Sequence, residues 1–251
     1  MKRLPPGLRT ALLALALMAG LVVPAMWAAS QERGGRDYAT FYAATRVWAQ
    51  GGDPYDTAQL TALVRADGSR KTAVYPFFYP PTALPLLSWS LLLGMRSGHL
   101  LMAALNLGAL IGLGAILVRW FAAPGWLVVA LLITSSGAME MARLGQVNGL
   151  VALLAGVGLW RGRGAPVAIA ALVKMSPALY LARWVARREW RPVLVAAGVA
   201  VAALAVCVPL VGLQRSQRFF FELLPAMGSG AWNGLDVPLS FRANHSLAGL
   251  L

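Results

Sequence analysis

The sequence predicts an all-α integral membrane protein, a polytopic helix bundle with one large polar loop near its amino terminus. Three observations lead there. Hydrophobic residues fill 59% of the 251 positions and charged residues 12%, with a mean hydropathy of +0.65, a balance that a water-facing surface does not permit. Apolar runs recur at lengths near the roughly 20 residues that a helix needs to cross a bilayer. Basic residues sit in the short gaps between those runs, the distribution that sets membrane orientation.

The formal net charge of +13 comes from 22 Lys and Arg against 9 Asp and Glu. In a soluble protein that excess would point to nucleic acid. No basic stripe alternates with aromatics here, so nucleic acid is set aside and the basic gaps read as loops placed by the positive-inside rule, with membrane lipids among the expected partners of the chain. The single cysteine, Cys207, lies in an apolar run. It excludes an intrachain disulfide and reads as packing.

Along the chain, Lys2, Arg3 and Arg9 precede the apolar run Thr10 to Ala29, a signal peptide or a retained first span. Its length and the bulky Met26 and Trp27, where cleavage wants small residues, favour retention. Either choice places the next segment outside. Residues 30–81 form the long polar stretch and hold five of the nine acids, Glu32, Asp37, Asp53, Asp56 and Asp67. A loop of this length reads as functional, an outer catalytic loop with short interfacial helices near 38–50 and 56–65, its aromatics at headgroup level.

Residues 82–94 are apolar but too short to cross, and are expected to enter and return. Full spans are expected at 99–118 and 192–213, short ones at 126–138 and 147–160, and an interrupted one at 165–182. Arg119, the Arg161 and Arg163 pair, and Arg183, Arg187, Arg188 and Arg191 all go to the cytoplasm with the amino terminus. Both flanks of 165–182 are then on one side, so this segment turns back with Lys174-Met175-Ser176-Pro177 at its tip. Broken helices are tolerated at membrane depth where they line a cavity. The stretches 30–98, 139–146 and 214–246 share the outer side. Residues 1–251 read as one transmembrane domain with the 30–81 loop inside it.

Candidate chemistry gathers on that side. Asp37, just after the first span, suits a general base that takes a proton from an attacking hydroxyl; the plainer reading is a helix cap or a partner for Arg36. Gly51-Gly52-Asp53-Pro54 is a turn before a helix start. The stiff run Tyr75 to Pro81, with Tyr79 in it, forms either a wall against sugar or prenyl chain or an interfacial anchor. Arg143 suits a phosphate, and Gln146 and Asn148 suit hydroxyls; a network with Glu140 that braces the bundle is the alternative. Lys174 is an ammonium between apolar residues, expensive without an anion. A leaving phosphate would supply one, and snorkelling to the surface is the competing reading. Asn244-His245-Ser246 reads as a polar turn of the site in preference to a glycosylation acceptor. Neither His99 nor His245 has neighbours at ligand spacing, and no glycine-rich phosphate loop occurs, so no metal and no cofactor are expected.

Taken in order, Asp37-Tyr38 with Phe41 and Tyr42, Gly52-Asp53-Pro54-Tyr55, Phe78-Tyr79-Pro80-Pro81, Gly145-Gln146-Val147-Asn148, Lys174 with Pro177, and Asn244 with Ser246 resemble the polyprenol-phosphate-mannose-dependent alpha-(1→2)-mannosyltransferases of the GT-C superfamily. The resemblance spans nearly the whole chain. It implies metal-independent, inverting transfer of a hexose, usually mannose, from a polyprenyl-phosphate donor to a glycolipid or glycan acceptor outside the bacterial inner membrane. Asp37 matches the family's proposed base, with Tyr38, Tyr42, Tyr79, Asn244 and His245 as further candidate substrate contacts. Family members carry more spans after the Asn-x-Ser stretch, so an amino-terminal fragment is the expectation. Two other readings compete: a transporter or flippase of lipid-linked sugars, since charged broken helices also mark transport pathways, and a structural partner in an envelope-assembly complex. No inverted repeat is apparent, and transport leaves the large outer loop unexplained.

Overall fold

The computed structural model describes residues 5–17, 36–67, 74–122 and 124–226, together with 19, 20, 23, 27, 231, 232, 235 and 236. Helix α1 (Pro6–Leu17) opens the expected first span. The polar stretch folds as α2 (Arg36–Ala49) and α3 (Thr57–Ala66). Gly51 turns the chain between them at φ +81°, a dihedral that costs a residue with a Cβ. Asp56 then starts α3 by accepting from the backbone amide of Ala58 at 2.8 Å, satisfying a donor the helix cannot.

The two helices match the expected pair near 38–50 and 56–65 to within two residues, and most of the aromatic rings of this stretch pack inward. Tyr38, Phe41, Tyr42, Tyr55 and Phe77 are buried together with Leu60, Val64 and Leu84, and they form the main core. Large rings remove about 150–250 Å² each from solvent when buried, so they supply much of that core. Tyr75 and Phe78 of the same stretch stay exposed.

Helix α4 (Ala83–Leu87) runs into a 3₁₀ turn (Ser88–Leu92), too short to cross a bilayer. Helix α5 (Met95–Phe121) has 27 residues, a length of about 40 Å. Helices α6 (Gly125–Thr134) and α7 (Ser136–Leu144) meet at a 53° bend, where the Ser135 hydroxyl accepts from Ala138 N at 3.2 Å. Helices α8 (Asn148–Arg161) and α9 (Gly164–Val173) are shorter. After a break at Lys174 come a 3₁₀ turn (Ser176–Tyr180), α10 (Leu181–Ala186) and the 22-residue α11 (Trp190–Val211). Among the described residues α5 and α11 are long and apolar enough to span a membrane, and the bent α6–α7 pair makes a third if it is one span. The chain is a mostly helical, membrane-associated protein. Helix α12 (Leu213–Arg218) and a π turn (Phe219–Leu223) follow. A small antiparallel ladder, β1 (Ala231–Trp232) with β2 (Leu235–Asp236), is a minor departure from the all-α class.

Two contacts fix the path of the interrupted segment. At one end of the bundle a Cβ on Gly164 would lie 1.8 Å from the Pro192 carbonyl oxygen, so the start of α9 touches the start of α11. At the other end Lys174 meets Asn148, the first residue of α8, while the Thr82 hydroxyl donates to Leu172 O at 2.5 Å. Helix α9 therefore runs the length of α8 backwards, and residues 176–189 return to the Gly164 end. A separate clasp joins the turn after α2 to the chain beyond α11: Trp48 Nε1 donates to Leu210 O at 3.4 Å, Arg215 donates to Gly51 O, and Arg218 pairs with Asp53.

The Gly164 contact is directly testable. Gly164→Val is expected to lower stability by about 1–3 kcal/mol or prevent folding, as overpacking does, whereas Gly198→Ala, with nothing within 4 Å, should be neutral or slightly stabilising. Thermal melts in detergent read both.

Candidate active site

Four pieces of chain converge at the end of the bundle that holds the Lys174 tip. The first turn of α2 brings Asp37, where the helix dipole favours a carboxylate. The run before α4 brings Tyr79, whose ring meets Phe41 edge-on at 4.8 Å. Helix α7 and the turn after it bring Arg143, Gln146 and Asn148. The break after α9 brings Lys174.

The contacts tie these pieces together. Lys174 Nζ donates to Asn148 Oδ1 at 2.9 Å, and Asn148 Nδ2 donates to Gln146 Oε1 at 2.5 Å. The direct partner of the ammonium is thus a neutral amide. Asp37 acts on Lys174, Arg143 and Tyr79 through space, so a carboxylate, an ammonium, a guanidinium and a phenol share one electrostatic neighbourhood. Burial and then Asp37 push the Tyr79 phenol well above its ordinary range, which keeps it neutral and able to donate. Arg143 is already answered by Glu140, at 2.7 Å in an exposed i,i+3 pair. Such a pair is weak in water and leaves the guanidinium able to accept a second anion.

A model of glycosyltransferase family 87 matches residues 77–251, more than half of the chain. This chain belongs to glycosyltransferase family 87. No curated protein and no solved structure matches it. Within the family 87 match lie Tyr79, Arg143, Gln146, Asn148 and Lys174; Asp37 precedes it. Membership makes sugar transfer the reaction class, and the membrane helices make the enzyme membrane-associated.

Not every sequence candidate joins this cluster. Tyr38 is wholly buried, its ring stacked on His99 at 5.9 Å and its hydroxyl against Gly98. Burial pushes its phenol up to about 12. Tyr42 is also buried, and its hydroxyl donates to Asp67 at 2.7 Å. This bond braces α2 on the end of α3. Asn244 and His245 lie outside the described residues.

Two residues outside the sequence candidates, Asn106 and the His99 set aside as a metal ligand, hold the turn of this cluster in shape. Asn106 is buried in the middle of α5. Its amide donates to Gln146 O at 2.7 Å and its oxygen accepts from Gly149 N at 3.0 Å, clamping both flanks of the turn that carries Gln146 and Asn148. His99 Nε2 lies 2.8 Å from Ala142 O and packs beneath the same turn. Gly145 makes that turn possible, with φ +71° and room for no Cβ beside Tyr38 and His99. A lone amide in an apolar span is expensive unless paired, and that was the available signal.

Asn106→Leu should cost about 1–3 kcal/mol for each buried turn group left unpaired, and hydrogen exchange at residues 146–149 should quicken. Tyr38→Phe should leave stability equal or higher, because its hydroxyl has no hydrogen-bond partner among the described residues. A melt that falls by several degrees would show instead that the hydroxyl has a partner that stabilises the fold.

Proposed function

We propose that this family 87 enzyme moves a hexose, mannose by resemblance, from a polyprenyl-phosphate donor to a hydroxyl of a glycolipid or glycan acceptor. The supporting observation is the placing across the site of Asp37, on the first polar loop, with Lys174, at the tip of a broken apolar hairpin and hydrogen-bonded to a neutral amide. An ammonium so placed has room in its charge balance for a phosphate. Orientation rests on charge. Arginines gather at the Gly164 end of the bundle, so the positive-inside rule puts that end in the cytoplasm and the site at the outer face of a bacterial inner membrane. The helical bundle fits a multi-pass GT-C-like protein.

In this reading Lys174 and Arg143 hold the donor phosphate, and Gln146, Asn148 and Tyr79 offer hydrogen bonds to sugar hydroxyls. Asp37 removes the proton of the acceptor hydroxyl as its oxygen bonds to the anomeric carbon. The bond from that carbon to the phosphate oxygen breaks on the opposite face, its electron pair leaves with the polyprenyl phosphate, and Lys174 stabilises the charge that develops there. One displacement inverts the anomeric centre. Neither a covalent sugar intermediate nor a metal takes part.

Asp37→Asn, assayed in lipid with polyprenyl-phosphate mannose and an acceptor, should lower turnover by about 10²–10⁴-fold while circular dichroism stays unchanged. Turnover equal to wild type would remove Asp37 from the mechanism. Lys174→Met should lower kcat by about 10²–10³-fold, the loss typical of a group that stabilises developing charge. A lipid-sugar transporter, which a charged broken hairpin also suits, would form no glycoside in this assay.

A further inference from the structure

The end of the bundle away from the site carries a second built surface. Three helix junctions meet there. Arg119, in the last turn of α5, and Arg161, at the end of α8, both lie over the Trp160 ring, at 5.8 and 4.5 Å. The turn from α8 to α9 adds Arg163, and the Gly164 contact with Pro192 sets that turn beside the start of α11. The turn from α10 into α11 adds Arg183, Arg187, Arg188 and Arg191. All of these arginines are exposed.

This last turn is shaped, not frayed. Arg188 holds φ +57°, unusual for a residue with a side chain. Backbone bonds from Arg188 N to Val185 O at 3.0 Å and from Glu189 N to Trp184 O at 2.9 Å keep it there, with the buried Trp184 ring as its anchor. Among the described residues Glu189 is the one carboxylate in these junctions, 3.8 Å from Arg187 with both side chains about half exposed. It leaves most of the positive charge unanswered.

The flank of the patch is apolar. Leu179, Val185, Trp190 and Leu194 are all exposed, and Trp190 begins a helix long enough to span a membrane. A partner for this face must offer anionic oxygens to the guanidinium groups and hydrocarbon to the leucines and the indole. Nucleic acid or an acidic protein supplies only the first. We propose that this face binds the headgroups of anionic phospholipids, with the arginines on lipid phosphates and Trp190 and Tyr180 at the boundary of the acyl chains. This surface does not depend on the sugar-transfer reading.

The test uses the full chain in phosphatidylcholine vesicles with a trace of spin-labelled phosphatidylglycerol or spin-labelled phosphatidylcholine, and electron spin resonance reads the motionally restricted fraction. The wild type is expected to retain the anionic label on the order of fivefold more than the neutral one, the share one well-placed basic residue can confer. Raising the salt should shrink the ratio. The fourfold variant Arg183→Gln, Arg187→Gln, Arg188→Gln, Arg191→Gln should bring it near parity, and the matching four Arg→Lys changes should keep most of it. Should the fourfold Gln variant fail to fold, Arg187→Gln with Arg188→Gln, both at exposed positions, carries the test and should lower the ratio by about half. Equal retention of both labels by the wild type overturns the proposal, as does an unchanged ratio in the folded Gln variants. Displacement of the label by inorganic phosphate, beyond that by chloride at equal ionic strength, would assign the face to free phosphate and overturn it too.

Discussion

The hydrogen bond from Lys174 to Asn148 is the constraint on which the rest of this structure turns. An ammonium carried on an apolar helix must find acceptors or leave the bundle. Here it finds an amide at the start of α8, at the point where α9 ends after Val173 and the chain turns back toward α11. A carboxylate as the direct partner would have closed the charge balance within the protein. The neutral amide leaves it open, with Asp37 acting from across the site.

Close backbone approach makes this arrangement possible. Gly98 admits the Tyr38 hydroxyl, Gly145 admits the Tyr38 Cβ and the His99 ring, Gly149 admits Asn106, and Gly164 admits the Pro192 carbonyl. Helices without a strong hydrophobic drive between them rely on such contacts and on interhelical hydrogen bonds. The amides and the ammonium of the site therefore stand on turns whose backbones are held from beneath, by Asn106 and by His99. A site held in this way keeps its geometry through backbone contacts made beneath its turns.

Much of the helix pattern was legible in the chain. Basic flanks on both sides of a short apolar run, with Pro177 inside it, announced a segment that goes out and comes back. Gly51 and Asp56 marked the gap between α2 and α3 to within a residue or two. The burial of the loop aromatics was not legible, because a Tyr and Phe pattern suited to the lipid boundary has the same composition as a core, and only the tertiary partners decide. Tyr38 and Tyr42, read as substrate contacts beside Asp37, are buried in that core. Asn106 and His99 were hidden differently. Their partners are main-chain atoms some 40 residues away, and a backbone carbonyl leaves no mark in a sequence.

The clasp between the Gly51 turn and the segment beyond α11 has a consequence in time. Arg218 and Asp53 are 165 residues apart, and a chain grows at roughly 5–20 residues per second. The first polar hairpin thus leaves the ribosome about ten to thirty seconds before its latch exists. Through that interval it depends on its own aromatic cluster and on partners such as Ser90 and His99 that emerge soon after it, and the latch closes late.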